Sequence, residues 1–435
     1  MAKIFPFKGI LYNRKEVQDI SLVTAPPYDV ISKAERDECY KKHEYNIIRL
    51  ILGMETPDDT PANSKYTRAA CFLRNWRDEE VLVEDNVPCI YPYTQEYNVD
   101  GKRKEQGGFI CVLRLEEFSE DGGVLPHEET LNKPKEDRLS LMEACQANLS
   151  PIFGLYSDPD FSLSGVLKND GPPLMDVRDA NGVVHKLSRV HDAGVIQKAQ
   201  ALLRSKKVYI ADGHHRYETA IAYREKRRSQ EKNFTGDESY NHIMVYLVNM
   251  DSSGLTILPA HRLVRMLPKD SPNGWENKLD EFFARKDCSS FEDVSGLMKK
   301  HLGRDNAFGM YRKGRLQLLV LKDGLRCNEV TGAEVSEIYK SLDVTIVHRI
   351  LLNHILGGGM EMSEDNISYV KDGRRALKLV DEGEFDLAVL LNPTKIEQVK
   401  AIASMGRRMP GKATYFYPKP LSGLVINKLS SKAVV

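Results

Sequence analysis

The stretch Lys207-Val208-Tyr209-Ile210-Ala211-Asp212-Gly213-His214-His215-Arg216-Tyr217 constrains the fold of this chain more than any other. A short β-branched and aromatic run ends in Asp-Gly, and a polar segment of helical composition opens directly after it. A strand that passes into a helix through a single glycine calls for a layered fold with both α and β elements. The helix begins with His214, His215 and Arg216. Cations are disfavoured in a first helical turn, where N–H groups without intrahelical partners and the macrodipole already make the potential positive. Added positive charge there points to an anion, and phosphate is the usual one. Gly213 permits a tight turn that brings backbone N–H groups close to phosphate oxygens. His214, His215 and Arg216 are then candidate donors to those oxygens, the arginine through its planar fork. Asp212 is read three ways: as a helix cap, as a metal ligand, or as the carboxylate that orients an attacking hydroxyl. A capped and solvated helix start explains the same residues with no ligand at all.

A chain of 435 residues is long for one domain, so two domains are expected. Ser271-Pro272-Asn273-Gly274 marks the candidate boundary, giving residues 1–268 and 269–435. Lys plus Arg and Asp plus Glu both number 62, and this balance argues against a nucleic-acid binder, which normally carries a basic excess. No run approaches the roughly 18 apolar residues of a membrane span. Met1-Ala2-Lys3-Ile4-Phe5-Pro6-Phe7 lacks the apolar core of a signal peptide. The seven cysteines stand singly, without a Cys-x-x-Cys pair. That pattern suits buried thiols in a reducing cytoplasm, with no disulfide frame and no thiolate zinc site.

The alternation of patterns predicts an α+β chain. Ser32 and Glu35 form a plausible capping box before a helix. Asn46–Gly53 reads as a buried strand bounded by glycine. Residues 64–80 have helical spacing. Asn98-Val99-Asp100-Gly101 is a hairpin turn between strands at Tyr91–Tyr97 and Gly108–Leu115. A charged helix follows over 134–148, then a strand at Ile152–Tyr156, short strands within 157–195, and a helix at 196–204. The 206–210 strand leads into a helix over about 212–229. Later helices are expected at 275–285, 291–301 and 394–404, with two more within 335–356. Strands are expected at 243–250, 256–259, 307–312, 316–321, 385–391 and 413–417. Gly357-Gly358-Gly359 opens a loop that either flexes or approaches a ligand.

Four further constellations carry chemistry. Pro126-His127-Glu128-Glu129-Thr130 is followed by Lys135, Asp137 and Arg138. Glu128 or His127 is a candidate general base, and Lys135 and Arg138 are candidates to neutralise transferring phosphate oxygens. A solvated loop before a helix is the plainer reading. Thr24-Ala25-Pro26-Pro27-Tyr28-Asp29 is a proline-stiffened turn that fixes Tyr28 and Asp29, or an ordinary structural corner. Pro259-Ala260-His261-Arg262 repeats a His-Arg pair after a strand. In Met409–Lys419 the aromatics alternate as core residues do, while Lys412, Thr414 and Lys419 are candidates to line a phosphate or carboxylate pocket. There is no Gly-x-x-x-x-Gly-Lys-Ser/Thr loop, no His-Glu-x-x-His and no Gly-x-Ser-x-Gly.

Two resemblances add to this reading. Asp212-Gly213-His214-His215-Arg216-Tyr217 with Ala220 resembles the ParB/sulfiredoxin superfamily signature, in which a turn of this type holds nucleotide phosphates. His214 stands where sulfiredoxin carries its catalytic cysteine, which argues against sulfinic acid reduction. Thr24–Ile31, His127–Tyr156, Pro259–Arg262 and Met409–Val425 together resemble the long bacterial family DUF1015. Gly406-Arg407-Arg408, where Gly-Glu is usual, and Ala413, where Ser is usual, depart from that family's pattern.

The resemblances imply a mixed-sheet ParB/sulfiredoxin-like core with an additional α+β C-terminal domain. The implied activity is an ATP- or ADP-dependent kinase with Mg2+, phosphorylating a small hydroxylated amino acid, free L-serine first. Glu128, His127, Asp212 and His215 would be catalytic. Gly213, His214, Arg216, Lys135 and Arg138 would hold the nucleotide, and Asp212 the metal. Tyr28, Asp29, His261, Arg262, Lys412 and Thr414 would bind the acceptor. The expected partners are nucleotide and small molecule, with no nucleic acid or membrane, and a homodimer is compatible. A nucleotide-binding switch of the ParB type and a phosphatase acting on phosphoserine-like metabolites are the alternatives.

Overall fold

The computed structural model describes residues 1–130, 132–168, 171–265, 274–322 and 337–430. Ser271–Asn273 of the expected boundary, Cys327 and the start of the helical region at 335–356 lie outside the described residues. The chain forms two compact units. Unit 1 takes Met1–Pro126, Thr130–Thr256 and the tail from Pro418; unit 2 takes His127–Glu129 and Ile257–Tyr417. A single cut at 268 was expected, but the chain leaves unit 1 after Thr256 and re-enters it at Pro418. The tail belongs there because its backbone is bonded there. Ile426 exchanges two hydrogen bonds with Ile10, and Ser422 two with Ala25. Asn427 and Lys428 pair antiparallel with Asn148 and Ala147.

Unit 1 is built on a nine-stranded mixed sheet. Its strands are β1 (Ile4–Phe5), β2 (Tyr91–Val99), β3 (Lys102–Arg114), β4 (Val124–Leu125), β5 (Ile152–Tyr156), β6 (Met175–Arg178), β7 (Val184–Leu187), β8 (Val208–Asp212) and β9 (His242–Asn249). The order is β4-β8-β5-β9-β3-β2-β7-β6, with β1 also on β3. β9 with β5 and β8 with β4 are parallel, and the other pairs are antiparallel. The hairpin β2–β3 turns at Asp100-Gly101, where both residues have positive φ, as the Asp-Gly pair requires.

Helices α1 (Lys33–Lys42), α2 (Ile48–Ile51), α3 (Lys65–Asp78), α4 (Asn132–Cys145), α5 (Ala193–Arg204) and α6 (His214–Gln230) belong to unit 1. The Ser32–Glu35 capping box is present in both directions. Asn46–Gly53 corrects the expected strand: Ile48–Ile51 is a helical turn. Asn46 accepts from the Ile48 N–H and donates to the Leu22 carbonyl, and a short, uniformly apolar run does not by itself separate strand from helix. Ile196, Ala199 and Leu203 of α5 and Tyr217, Ala220 and Tyr223 of α6 pack on Cys111, Ile152, Val208, Ile210, Val245 and Leu247 of the sheet.

Unit 2 carries a six-stranded sheet of β10 (His261–Val264), β11 (Phe283–Cys288), β12 (Ala307–Arg312), β13 (Arg315–Leu321), β14 (Ile367–Val370) and β15 (Leu387–Leu390). Its order is β11-β13-β12-β15-β10-β14. Helices α7 (Gly274–Phe282), α8 (Phe291–His301), α9 (Gly373–Asp381) and α10 (Ile396–Ser404) belong to it. Val294 and Met298 of α8 and Ala376, Leu379 and Val380 of α9 form a core with Leu263, Leu318, Ala388 and Leu390. β11 follows α7 directly, where the sequence suggested a longer helix to 285. Val347–Leu356 winds as a π-helix. The fold is α+β, as the sequence pattern indicated.

Candidate functional site

β8 reaches α6 through Gly213, the N-cap residue, at φ 92° and ψ 28°. That left-handed conformation favours glycine. Space makes the same demand, because a Cβ at this position would lie 3.0 Å from the Arg216 guanidinium and from Ile152. Asp212 is therefore not the cap. Its Oδ2 accepts from Arg216 at 2.6 Å. Arg216 also donates to the Pro151 carbonyl, so its buried guanidinium folds back over Gly213 and clamps the turn. His214 is buried and His215 half-buried, so the helix start is not the solvated one of the plainer reading.

Asp212 Oδ1 accepts from Lys419 Nζ at 2.6 Å, and Asp29 Oδ2 accepts from the same ammonium at 2.8 Å. Burial works against the charge on Lys419, but the two carboxylates outweigh it and hold the pKa above the ordinary lysine value. With both oxygens of Asp212 given to cations, this carboxylate balances charge and does not fit the expected role of metal ligand. No group of three or more His, Cys, Asp or Glu with metal-binding geometry occurs among the described residues.

Lys419 is the residue whose importance the sequence understated. Its placement rests on fully buried polar side chains of the sheet. Gln95 Nε2 donates to the Lys419 carbonyl at 3.0 Å, and Gln106 Nε2 donates to Gln95 and to the Pro418 carbonyl. The Leu421 N–H donates to the Tyr93 hydroxyl oxygen. Burial keeps that hydroxyl protonated, and it lies 2.6 Å from His185 Nδ1, whose Nε2 faces Asp179 at 3.3 Å. Polar groups are tolerated in a core when they are hydrogen-bonded. Here several of those bonds fasten the backbone that carries Lys419.

Arg138 stacks over the Tyr28 ring at 4.0 Å. It donates to the Ile51 carbonyl and to Asp137 Oδ2, each at 2.8 Å. Asp137 also accepts from Tyr66 and faces Lys65. Burial opposes its charge, but Arg138, Lys65 and Tyr66 prevail and hold its carboxyl down at about 2. Lys135 and Thr130 both donate to Glu218 on α6. The two expected phosphate cations, Lys135 and Arg138, are thus each paired with a carboxylate. Unit 1 brings together Tyr28, Asp29, Arg138, Asp212, Gly213 and Arg216, and adds Lys419. A cavity of about 50 Å³ lies among Tyr28, Arg138, Ser150 and Arg216, space on the scale of a water or two.

The remaining candidates belong to unit 2. His127 is fully buried, with Nε2 at 2.9 Å from the Thr414 hydroxyl and its ring edge-on to Phe416. Glu128 forms a backbone bridge with Met409. Arg262 is fully buried. It donates to His348 Nε2 at 3.3 Å, to the Ala260 carbonyl and to the Lys412 carbonyl at 3.2 Å, and lies over Tyr369. Lys412 contributes its carbonyl to this arrangement. His261 Nδ1 accepts from the Leu391 N–H, which ties that ring to main chain. His348 carried no signal in the sequence, being one of four polar residues in the otherwise apolar run Val347–Leu356.

Burial and the nearby Arg262 push His348 down to about 3 and His261 to about 4. Burial pushes Asp343 up to about 6, against Asn306, Lys395 and Arg262. Between pH 4 and 6 the unfolded chain binds two protons on these histidines that the native unit does not. The native unit binds one on Asp343 that the unfolded chain does not. Stability therefore falls with acid at a net one proton, about 1.4 kcal/mol per pH unit. Asp343→Asn removes the opposing proton, and the slope steepens to about 2.7 kcal/mol per pH unit. Urea unfolding followed by Trp275 fluorescence in a Trp76→Phe background measures it. An unchanged slope would show that Asp343 is ionised in the native unit.

Among curated proteins none matches this sequence. Among solved structures, a free serine kinase in complex with AMP aligns at 14% identity and TM-score 0.35, covering 71% of this chain and 88% of that one. A conserved hypothetical protein from Pyrococcus furiosus aligns at 11% identity and TM-score 0.34, covering 73% and 97%. SbnI with C-terminal truncation from Staphylococcus aureus aligns at 12% identity and TM-score 0.35, covering 72% and 85%. Residues 4–345 match the family described as "Protein of unknown function (DUF1015)". That match spans well over half of the sequence, and the chain belongs to the DUF1015 family.

Proposed function

We propose that the protein is a nucleotide-dependent phosphotransferase acting on a small hydroxylated amino acid, with free L-serine as the first acceptor. One observation carries this reading. A left-handed glycine delivers the first turn of a 17-residue helix beside the Arg216 guanidinium and the Lys419 ammonium. First-turn N–H groups and adjacent cations are the donor set that phosphate oxygens take. The motif's resemblance to nucleotide-binding turns supports the same assignment. Asp29, which already holds one ammonium, suits the α-ammonium of an amino-acid acceptor. Transfer requires the acceptor hydroxyl to lose its proton to a carboxylate as its oxygen bonds to phosphorus and the bond to the nucleotide breaks.

The test is phosphorus NMR of purified protein with L-serine and either ATP or ADP, supplied with Mg2+. Phosphoserine is the expected product. Assayed side by side, Glu128→Gln tests the carboxylate that takes the proton and Asp29→Asn tests the contact to the acceptor ammonium. Absence of transfer with both nucleotides across serine, threonine and homoserine would overturn the reading. Release of phosphate from phosphoserine with no transfer would mark a phosphatase.

A further inference from the structure

Unit 2 contains a cavity of about 890 Å³ to which neither the sequence motifs nor the proposed transfer assigns a role. One wall is the π-helix, which presents His348, Arg349, Asn353 and His354. Around the cavity stand Glu129, Glu281 and Glu361, with Tyr339. The winding explains how the wall is made. In an α-helix, residues five apart point about 140° away from each other. An i→i+5 helix winds more residues into each turn and narrows that angle, and His348, Arg349, Asn353 and His354 all line the cavity. The same spacing closes the helix, where the Gly357 N–H bonds the Leu352 carbonyl at 2.7 Å. π-helical turns are rare, mostly single, and concentrated at functional sites; this one runs for ten residues.

The charges select the ligand. Three carboxylates and one guanidinium line the space, and among the described residues Arg349 forms no ion pair. A nucleotide triphosphate would face those carboxylates and is disfavoured. A bare metal is disfavoured as well, because no three of the acidic or imidazole groups come together with metal-binding geometry among the described residues. A molecule with one anionic end and more than one cationic group satisfies the lining.

We propose that this cavity binds a basic α-amino acid or a short peptide containing one. The carboxylate takes the Arg349 fork, and the ammonium groups take Glu129 and Glu361. His348, held neutral by burial and by Arg262, and Asn353 supply uncharged hydrogen-bonding groups. The volume lies within the range of small-molecule sites and leaves room for a dipeptide.

Isothermal titration of the full chain, without nucleotide, uses L-lysine, L-arginine and glycyl-L-lysine as probes, with L-glutamate as the contrast. Binding of at least one basic probe is expected, with L-glutamate at least tenfold weaker. Arg349→Gln and Glu361→Gln should each weaken it about tenfold or more while leaving the thermal midpoint in place, since both side chains are exposed. Silence with every basic probe would overturn the assignment. So would glutamate binding as tightly, or affinities unchanged in Arg349→Gln. No turnover is involved, so an inactive phosphotransferase site leaves this result standing, and the reverse.

Discussion

Lys419→Met is expected to destabilise unit 1 by about 3 kcal/mol, the low end for removing one partner of a buried ion pair. The ammonium sits between Asp29 and Asp212, and its side chain is 10% exposed. Asp212 keeps Arg216 in the variant, so the uncompensated group is Asp29. The sharper expectation is therefore a rescue. Lys419→Met combined with Asp29→Asn should recover at least half of the loss, because the amide removes the orphaned charge. Urea unfolding followed by far-ultraviolet circular dichroism measures both. A loss under 1 kcal/mol would mean that solvent screens the cluster, and no recovery in the double variant would mean that the cost arises in packing. The lysine pKa is raised in the native state. Its contribution is accordingly complete below the unfolded lysine pKa of about 10.4 and declines only in strong alkali. Between pH 5 and 9 the difference between the two proteins should be flat.

Arg216→Ala is expected to weaken nucleotide binding 10- to 100-fold or more. The arginine makes two hydrogen bonds at the turn, to Asp212 and to the Pro151 carbonyl. Bonds involving charged groups contribute about 1.5–3 kcal/mol each, and a turn released from them no longer holds its N–H groups in one arrangement. Arg216→Lys separates charge from geometry, since lysine keeps the cation but lacks the planar fork. It should stay within a few-fold of the alanine variant if the clamp matters, and near wild type if only charge does. Titration with ATP, ADP and CTP plus Mg2+ reads this directly. Equal affinity in wild type and the alanine variant, or no binding by wild type, would remove the phosphate turn from the account.

What the sequence made legible was local chemistry. The Ser32–Glu35 box, the Asp100-Gly101 hairpin and the strand–glycine–helix passage at Gly213 each depend on residues a few positions apart, and each is present. The elements that escaped depend on distant partners. Asn46–Gly53 resembles a strand until Asn46 is seen capping Ile48. Gln95 and Gln106 look like ordinary polar strand residues, yet they are directly opposite each other, fully buried, and bonded to main chain more than 300 residues away. Of the candidate site, Tyr28, Asp29, Arg138, Asp212 and Arg216, each singled out by a local motif, come together in unit 1 with Lys419. Neither the pairing of cations with carboxylates nor burial is written in a motif. Lys419 stood only as one of three pocket candidates in the tail, with nothing to link it to Asp29 and Asp212, and the π-helix could not be read from a 3.6-residue period.

The return of the chain at Pro418 imposes an order on biosynthesis. Chains are made and fold from the N-terminus, so unit 2 is complete while unit 1 still lacks the strap that pairs with Ile10, Ala25 and Ala147–Asn148. Until residues 418–429 leave the ribosome, Gln95, Gln106 and Tyr93 lack their backbone partners, and Asp29 lacks its cation. A nascent chain stalled before that point carries a sheet with open polar seams, a species that quality-control proteases would favour. Completion of the first unit therefore waits until translation reaches the strap.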